Sequence, residues 1–314
     1  MKLKVLKDTT RRPGVFCYCM VRDEEWFLPH FLRHYRALGV SYFIFYDDGS
    51  TDGTLDILCA QEDCLVLTGP FSGESLGGKW CKFQTLLSNT IPEHFGGGQW
   101  SFTADADEFL VLPTRFSRID EVAAQLERSG QCCALAAMID FYPARLSERN
   151  YEGLSPFEGS PWFDRDLGFR RKPGQVNPSQ SPGGIRVRLL RMLAQRHPDR
   201  FQELFGSLAY RYARLSKVPL VKTGTGVQRS NPHFVNVEAP MDLQLGLAHF
   251  KFHPRADQRI ELALRNKTHV IGAIEYRFLK AIHELFPDED LVGDRSVRFG
   301  SPRDMEEAGM IWAK

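Results

Sequence analysis

Between residues 14 and 104 the chain alternates short, β-rich apolar runs with helix-like stretches, and that alternation admits few folds. Residues 14–20 form an apolar run suited to a buried strand. Asp23 is then placed to cap a helix, along which Phe27, Phe31, Tyr35 and Leu38 make an apolar stripe that ends at Gly39. Residues 41–46 read as a second, aromatic-rich strand. It stops at Asp47-Asp48-Gly49-Ser50-Thr51-Asp52-Gly53-Thr54, a polar turn that opens the next helix. Residues 64–68, 80–87 and 100–104 continue as strand, helix and strand. This order predicts an α/β fold, a doubly wound, mostly parallel, Rossmann-like sheet with helices on both faces.

In such sheets ligands bind outside the carboxyl ends of the strands. Asp23, Asp47, Asp48, Asp105 and Asp107 all fall at those ends, so three successive polar loops point to one cleft. The run Phe102-Thr-Ala-Asp-Ala-Asp-Glu-Phe-Leu-Val-Leu112 carries an apolar strand into two carboxylates one residue apart. Alternate strand side chains share a face, so Asp105 and Asp107 can reach toward one point. Paired acidic oxygens suit a hard divalent cation, Mg²⁺ or Mn²⁺, of the kind needed where a diphosphate is held and its charge neutralised.

The 314 residues allow one large α/β domain or two smaller ones, and 43% hydrophobic with 25% charged residues is ordinary for a globular chain. A net charge of +1 offers no field to draw nucleic acid or acidic lipid. No run of 18 apolar residues is present to span a bilayer, and the first seven residues lack the apolar core of a secretory signal. The seven cysteines are odd in number and lack Cys-x-x-Cys spacing. The expectation is a cytoplasmic protein with free thiols, with peripheral association at the inner face of the membrane left open.

The residues Met20-Val-Arg-Asp-Glu-Glu25, Tyr46-Asp-Asp-Gly-Ser-Thr-Asp-Gly-Thr54 and Asp105-Ala-Asp-Glu-Phe109 resemble family-2-type glycosyltransferases. More narrowly, they are similar to the bacterial subgroup related to the family-92 enzymes of animals and plants. The resemblance covers residues 14–113 and extends through Gly183-Gly-Ile-Arg186, Lys217-Val-Pro-Leu-Val-Lys222, His233-Phe234 and His249-Phe-Lys251. It implies a GT-A fold, a UDP-sugar donor, Mn²⁺ or Mg²⁺, and transfer with inversion to a hydroxyl acceptor. By analogy, the setting is surface-polysaccharide or glycolipid synthesis. Residues 1–140 would then be the nucleotide-sugar-binding half, 141–254 the acceptor-side and sheet-completing half, and 255–314 a helical C-terminal region. Residues 142–184, rich in Pro, Gly, Ser and Arg, would form or cover the acceptor side of the cleft. Residues 257–286 read as a long helical stretch broken at Gly272.

The resemblance gives Asp105 and Asp107 the metal and donor-sugar roles, with Asp107 the more direct ligand and His233 or His249 completing the site. Glu108 would be a further ligand or orient its neighbours. Asp47 or Asp48 would accept the uracil imide hydrogen, and Arg22 and Asp23 would border base and ribose. Lys79 and Lys82, flanking a helix start, would meet a phosphate. The Glu-Asp pair usual in family-2 enzymes is absent, which leaves Asp140, Asp164 and Asp166 as candidates for the general base. His249-x-x-x-His253 lacks the Glu of a zinc-protease helix and is followed by Pro254. Two alternatives stand beside the glycosyltransferase. One is a sugar nucleotidyltransferase, although the loop after the first strand is acidic and has no glycine. The other is a non-catalytic nucleotide-sugar-binding module. A Rossmann dehydrogenase is disfavoured because Gly-x-Gly-x-x-Gly is absent after the first strand, and a P-loop enzyme because Trp80 follows Gly78-Lys79.

Overall fold

The computed structural model describes residues 3–70, 79–149, 153–181, 183–206, 215–266 and 270–314. The expected strand–helix alternation is present. β1 (Lys4–Lys7) precedes β2 (Phe16–Val21), α1 (Leu28–Ala37), β3 (Phe43–Asp47), α2 (Thr54–Cys59), β4 (Cys64–Thr68), α3 (Trp80–Gly96) and β5 (Trp100–Thr103). The chain then runs through β6 (Glu108–Val111), α4 (Ile119–Arg128), β7 (Cys133–Tyr142), α5 (Pro156–Gly159) and β8 (Trp162–Asp164). Two short ribbons, β9 (Phe169–Arg170) with β10 (Ser179–Gln180) and β12 (Arg229–Asn231) with β13 (Phe234–Val235), flank α6 (Gly184–Arg196), α7 (Pro198–Phe205) and β11 (Ser216–Lys222). The chain ends with β14 (Leu243–His249), α8 (Ala256–Asn266), α9 (Val270–Leu285), β15 (Ser296–Arg298), α10 (Pro302–Glu307) and β16 (Trp312–Ala313).

The central sheet has 12 strands, with main path β1-β4-β3-β2-β5-β11-β7-β14-β16. On that path β4, β3, β2, β5, β7 and β14 run one way, and β1, β11 and β16 run the other. The sheet is therefore mixed, because β11 inserts antiparallel between β5 and β7. Strand periodicity in the first third carries no information about a partner arriving more than a hundred residues later. The chain builds β2, β3 and β4 outward in one direction, then returns through α3 to place β5 on the other flank of β2. That reversal falls between the carboxyl ends of β2 and β5, the position where doubly wound sheets bind ligands.

Both faces are covered, as the period-two pattern requires. Cys17, Cys19 and Val21 of β2 and Phe43 and Phe45 of β3 face one core with Phe31 and Tyr35 of α1. The alternate residues Phe16, Tyr18, Ile44 and Tyr46 face a second core with Phe83, Leu87 and Ile91 of α3. Phe31 is fully buried and packs edge-on to Phe45 and Phe109. Its truncation to Ala is expected to cost about 3–5 kcal/mol. A third core joins α6, α7, α8 and α9 through Ile185, Leu189, Phe205, Ile260, Phe278 and Ile282.

Several boundaries differ from expectation. α3 runs on to Gly96, through Pro92, and stops where Gly97 takes a left-handed conformation with φ 54°. The helical stretch over 257–286 is two helices. The first is described to Asn266 and the second from Val270, and Gly272 lies inside α9. Among the described residues of 142–184 the regular pieces are short, as expected: a single 3-10 turn at Leu146–Glu148, α5, and β8 to β10. Among the described residues no helix is long and apolar enough to cross a membrane, and Cys17, Cys19, Cys59, Cys64, Cys132 and Cys133 are free thiols.

Candidate functional site

The loops leaving β2 and β3 are bonded to each other. Asp23, held at φ 55°, donates its backbone N–H to Ser50 Oγ at 3.1 Å and accepts the Thr51 N–H at 2.6 Å. Glu25 accepts the Gly53 N–H at 3.0 Å, and its own N–H meets Asp52 Oδ2 at 3.1 Å. The Glu24 N–H donates to Thr54 Oγ1 at 2.8 Å. Asp23 therefore does not cap α1 as the sequence led us to expect; α1 starts after Phe27 with no side-chain cap. The short Asp side chain tolerates the left-handed backbone and is turned toward the neighbouring loop instead.

The two aspartates that end β3 divide the work. Asp47 is buried, and its carboxylate accepts the N–H groups of Gly49 at 3.0 Å and Ser50 at 3.2 Å, which closes the turn. Asp48 is equally buried, and its Oδ2 lies 3.7 Å from Arg22 Nη1, with Arg22 Nε 3.9 Å from Asp23. Arg22, Asp23 and Asp48 thus meet at the ends of β2 and β3.

Beyond β5 the chain makes a tight turn before β6. Glu108 N–H donates to the Asp105 carbonyl at 3.0 Å, and the Glu108 carboxylate accepts the Asp105 N–H at 2.9 Å. Lys217 of β11 reaches both, 2.6 Å from Glu108 Oε2 and 3.3 Å from Asp105 Oδ2. Burial opposes the Lys217 charge, but Asp105 and Glu108 outweigh it and hold the ammonium above its ordinary range. Burial raises the Glu108 carboxyl despite that lysine. Asp105 keeps a side chain 38% exposed and takes a 3.4 Å contact from Gln84 of α3.

Asp107 is 1% exposed, at the centre of the cluster. Its Oδ2 lies 3.4 Å from Lys251 Nζ, 3.3 Å from Arg259 Nη1 and 3.7 Å from His249 Nε2. Burial alone would raise its carboxyl, but Lys251, then Arg259 and His249, bring it well below the usual carboxylate range. Arg259 Nη1 is also 3.2 Å from Glu24. Burial pushes the Glu24 carboxyl up to about 8 in spite of this arginine, with the charges of Asp107 and Asp105 adding to the rise.

Strand register places the other partners. His249 stands opposite Glu108 in the antiparallel β14–β6 pair and opposite Asp140 in the parallel β14–β7 pair. His249 Nδ1 is 2.6 Å from Asp140 Oδ1. Arg186 of α6 donates to the same carboxylate from Nε at 2.6 Å and Nη2 at 3.0 Å, and from Nη1 to Glu275 of α9 at 2.7 Å. Burial works against the Asp140 anion, yet Arg186, followed by the His249 bond, holds its carboxyl down to about 2.

Acidic oxygens and one imidazole nitrogen therefore converge with three cationic side chains beyond the carboxyl ends of β2 and β5. Asp107 and His249 present an oxygen and a nitrogen toward each other with no hydrogen bond between them, and Asp105 opens to solvent beside them. That donor set suits Mn²⁺ or Mg²⁺. Lys251 and Arg259 on the same side would meet an anionic ligand, with a planar fork and a point charge suited to phosphate.

No protein-family model and no curated protein matches the chain. Among solved structures, the chain is similar to a UDP-glucose pyrophosphorylase complexed with UDP-glucose, at 9% identity and TM-score 0.26, covering 58% of this chain and 80% of that one. It is also similar to a UDP-glucose pyrophosphorylase from Acinetobacter baumanii, at 10% identity and TM-score 0.30, covering 87% and 99%. Likeness at this level carries no activity across.

The remaining candidates lie elsewhere. Asp164 is 2% exposed and accepts from Tyr142 Oη at 2.6 Å and from Arg188 at 2.7 and 2.9 Å, an interior ion pair between β8 and α6. Asp166 accepts the Gly168 N–H at 3.2 Å and lies 3.3 Å from Arg295. His233 Nδ1 bonds the Ser216 carbonyl at 3.0 Å, one residue from Lys217, whereas His249 is the histidine beside Asp107. Lys79 and Lys82 are exposed at the first turn of α3. Four residues of the cluster, Glu24, Lys217, Lys251 and Arg259, carried no assigned role in the sequence. The first three lie within the motifs that carry the resemblance, which was the available signal; Arg259 sits on a helix whose charge pattern looks like any solvated face.

Proposed function

We propose that the chain is a metal-dependent glycosyltransferase of GT-A type that moves a sugar from a UDP-sugar to a hydroxyl acceptor, with inversion at the anomeric carbon. The observation that carries this reading is the meeting of Asp105, Asp107 and His249 with Lys217, Lys251 and Arg259 at the reversal point of the sheet. Asp107 and His249, with Asp105, would hold the divalent cation, which when bound supplies charge neutralisation at the leaving diphosphate. Lys251 and Arg259 bind phosphate oxygens directly. Asp48 accepts the uracil imide hydrogen, while Asp47 keeps the loop closed beneath it. The acceptor hydroxyl gives its proton to a carboxylate. Of Asp140, Asp164 and Asp166, Asp166 is the least enclosed, with a side chain 29% exposed.

The deciding experiment incubates the protein with a panel of UDP-sugars, with and without Mn²⁺, and follows the products. Mn²⁺-dependent release of UDP supports the proposal. Formation of UTP on adding pyrophosphate would identify a nucleotidyltransferase instead, and tight binding with no turnover a binding module.

A further inference from the structure

We propose that Asp140 and Arg186 are positioning residues that fix the ring tautomer of His249, leaving Nε2 unprotonated toward Asp107. The inference rests on the reading of Asp107 and His249 as cation ligands. It adds a device built from β7, α6 and α9 that no motif assigns.

The geometry runs inward from the part-exposed Glu275 to the buried Arg186, Asp140 and His249. Glu275 accepts from Arg186 Nη1 at 2.7 Å, and Arg186 grips both oxygens of Asp140 through two donors at 2.6 and 3.0 Å. A guanidinium only donates and an ionised carboxylate only accepts. The fork therefore keeps Asp140 anionic, and the hydrogen in its 2.6 Å contact with His249 must sit on Nδ1. A neutral imidazole free in water favours the other tautomer, with hydrogen on Nε2. Asp140 reverses that preference, so that in the neutral ring the lone pair is on Nε2 and turned inward. Nε2 then faces Asp107 Oδ2 at 3.7 Å, beyond hydrogen-bond range. The same Asp107 oxygen accepts from Lys251 Nζ at 3.4 Å, so a cation bound between these two donors would share it with that ammonium. A carboxylate on the far nitrogen of a ligating histidine orients the ring and raises its basicity. Strand register makes the arrangement rigid, because Asp140 and His249 are direct partners in the parallel β7–β14 ladder.

The test uses full-length protein labelled with ¹⁵N-histidine and two-bond ¹⁵N–¹H correlation spectra, with His249 identified by its absence in His249→Gln. The wild-type ring is expected as the Nδ1–H tautomer. Removing Asp140 alone would strand a buried guanidinium, so the variant is the double substitution Asp140→Leu with Arg186→Met, which deletes the pair together. With the fold verified by circular dichroism, its His249 is expected to revert to Nε2–H, and its affinity for Mn²⁺ alone to fall roughly 10–100-fold. A wild-type ring protonated on Nε2, or a double variant that keeps the Nδ1–H form, overturns the proposal. A wild-type ring in the expected tautomer in a protein that binds no Mn²⁺ overturns the cation reading and leaves the positioning role standing.

Discussion

Arg259 Nη1 stands 3.3 Å from Asp107 Oδ2, tying a C-terminal helix to the turn that follows the fourth parallel strand. The same atom is 3.2 Å from Glu24, at the end of the first of those strands. One guanidinium nitrogen thus bridges the loops that follow β2 and β5. Charged hydrogen bonds to a diphosphate contribute about 1.5–3 kcal/mol. Arg259→Met is therefore expected to weaken UDP binding roughly tenfold to a hundredfold, as read by calorimetry. Unchanged affinity would remove Arg259 from the phosphate site.

Asp107→Asn should abolish the Mn²⁺-dependent part of UDP binding while the protein stays folded. The amide also leaves Lys251 and Arg259 facing a neutral group, so metal-free UDP binding is expected to persist. Titration of UDP with and without Mn²⁺ separates the two. Equal Mn²⁺ enhancement in mutant and wild type would show that the cation sits elsewhere.

Base recognition is expected to follow Asp48 and not Asp47. Asp48→Ala should erase the preference for UDP over ADP in a thermal-shift screen. Asp47→Ala should lower the melting temperature, because Gly49 and Ser50 N–H groups lose their acceptor. A reversed pattern would exchange the two roles.

Glu24 should make the protein less stable as pH rises. Its folded carboxyl is raised to about 8 from 4.5, so the folded state holds a proton that the unfolded chain has released. Its contribution is fully present below about 4.5 and is lost as pH climbs through about 8. Glu24→Gln should flatten that part of the stability profile, measured by urea unfolding between those limits. Asp140 acts with the opposite sign, stabilising above its unfolded value and losing that effect as pH falls toward about 2.

Asp164→Asn should behave as a stability mutant. Its carboxylate is enclosed by Arg188 and Tyr142, and losing the charge beside a part-exposed arginine should cost about 3 kcal/mol, the lower end for breaking such a pair. Turnover per folded molecule should stay at the wild-type value. A selective fall of roughly 10²-fold or more, at unchanged UDP affinity, would make it the general base after all.

The first four parallel strands and their carboxyl-end acids were legible because they are local. A strand shows its period within six residues, and Asp105 and Asp107 follow one directly. The insertion of β11 was not legible, since antiparallel pairing of Leu220 with Phe102 is a decision of the whole chain. The same reason hid the partners of the aspartates. Asp140, Asp164 and Asp166 look alike in sequence, as unpaired acids near an irregular region. Arg186, Arg188 and Arg295, which complete them, arrive from distant segments. His249 could be separated from His233 only once register had set it between Glu108 and Asp140.

The reciprocal bonds between residues 23–25 and 50–54 make the two loops that follow β2 and β3 a single preorganised floor. A ligand landing there finds backbone already ordered, so little chain entropy is lost on binding. Substitutions in one loop should consequently be non-additive with substitutions in the other. Asp23→Ala and Asp52→Ala, on opposite sides of the seam, are where a double-mutant cycle would register that coupling.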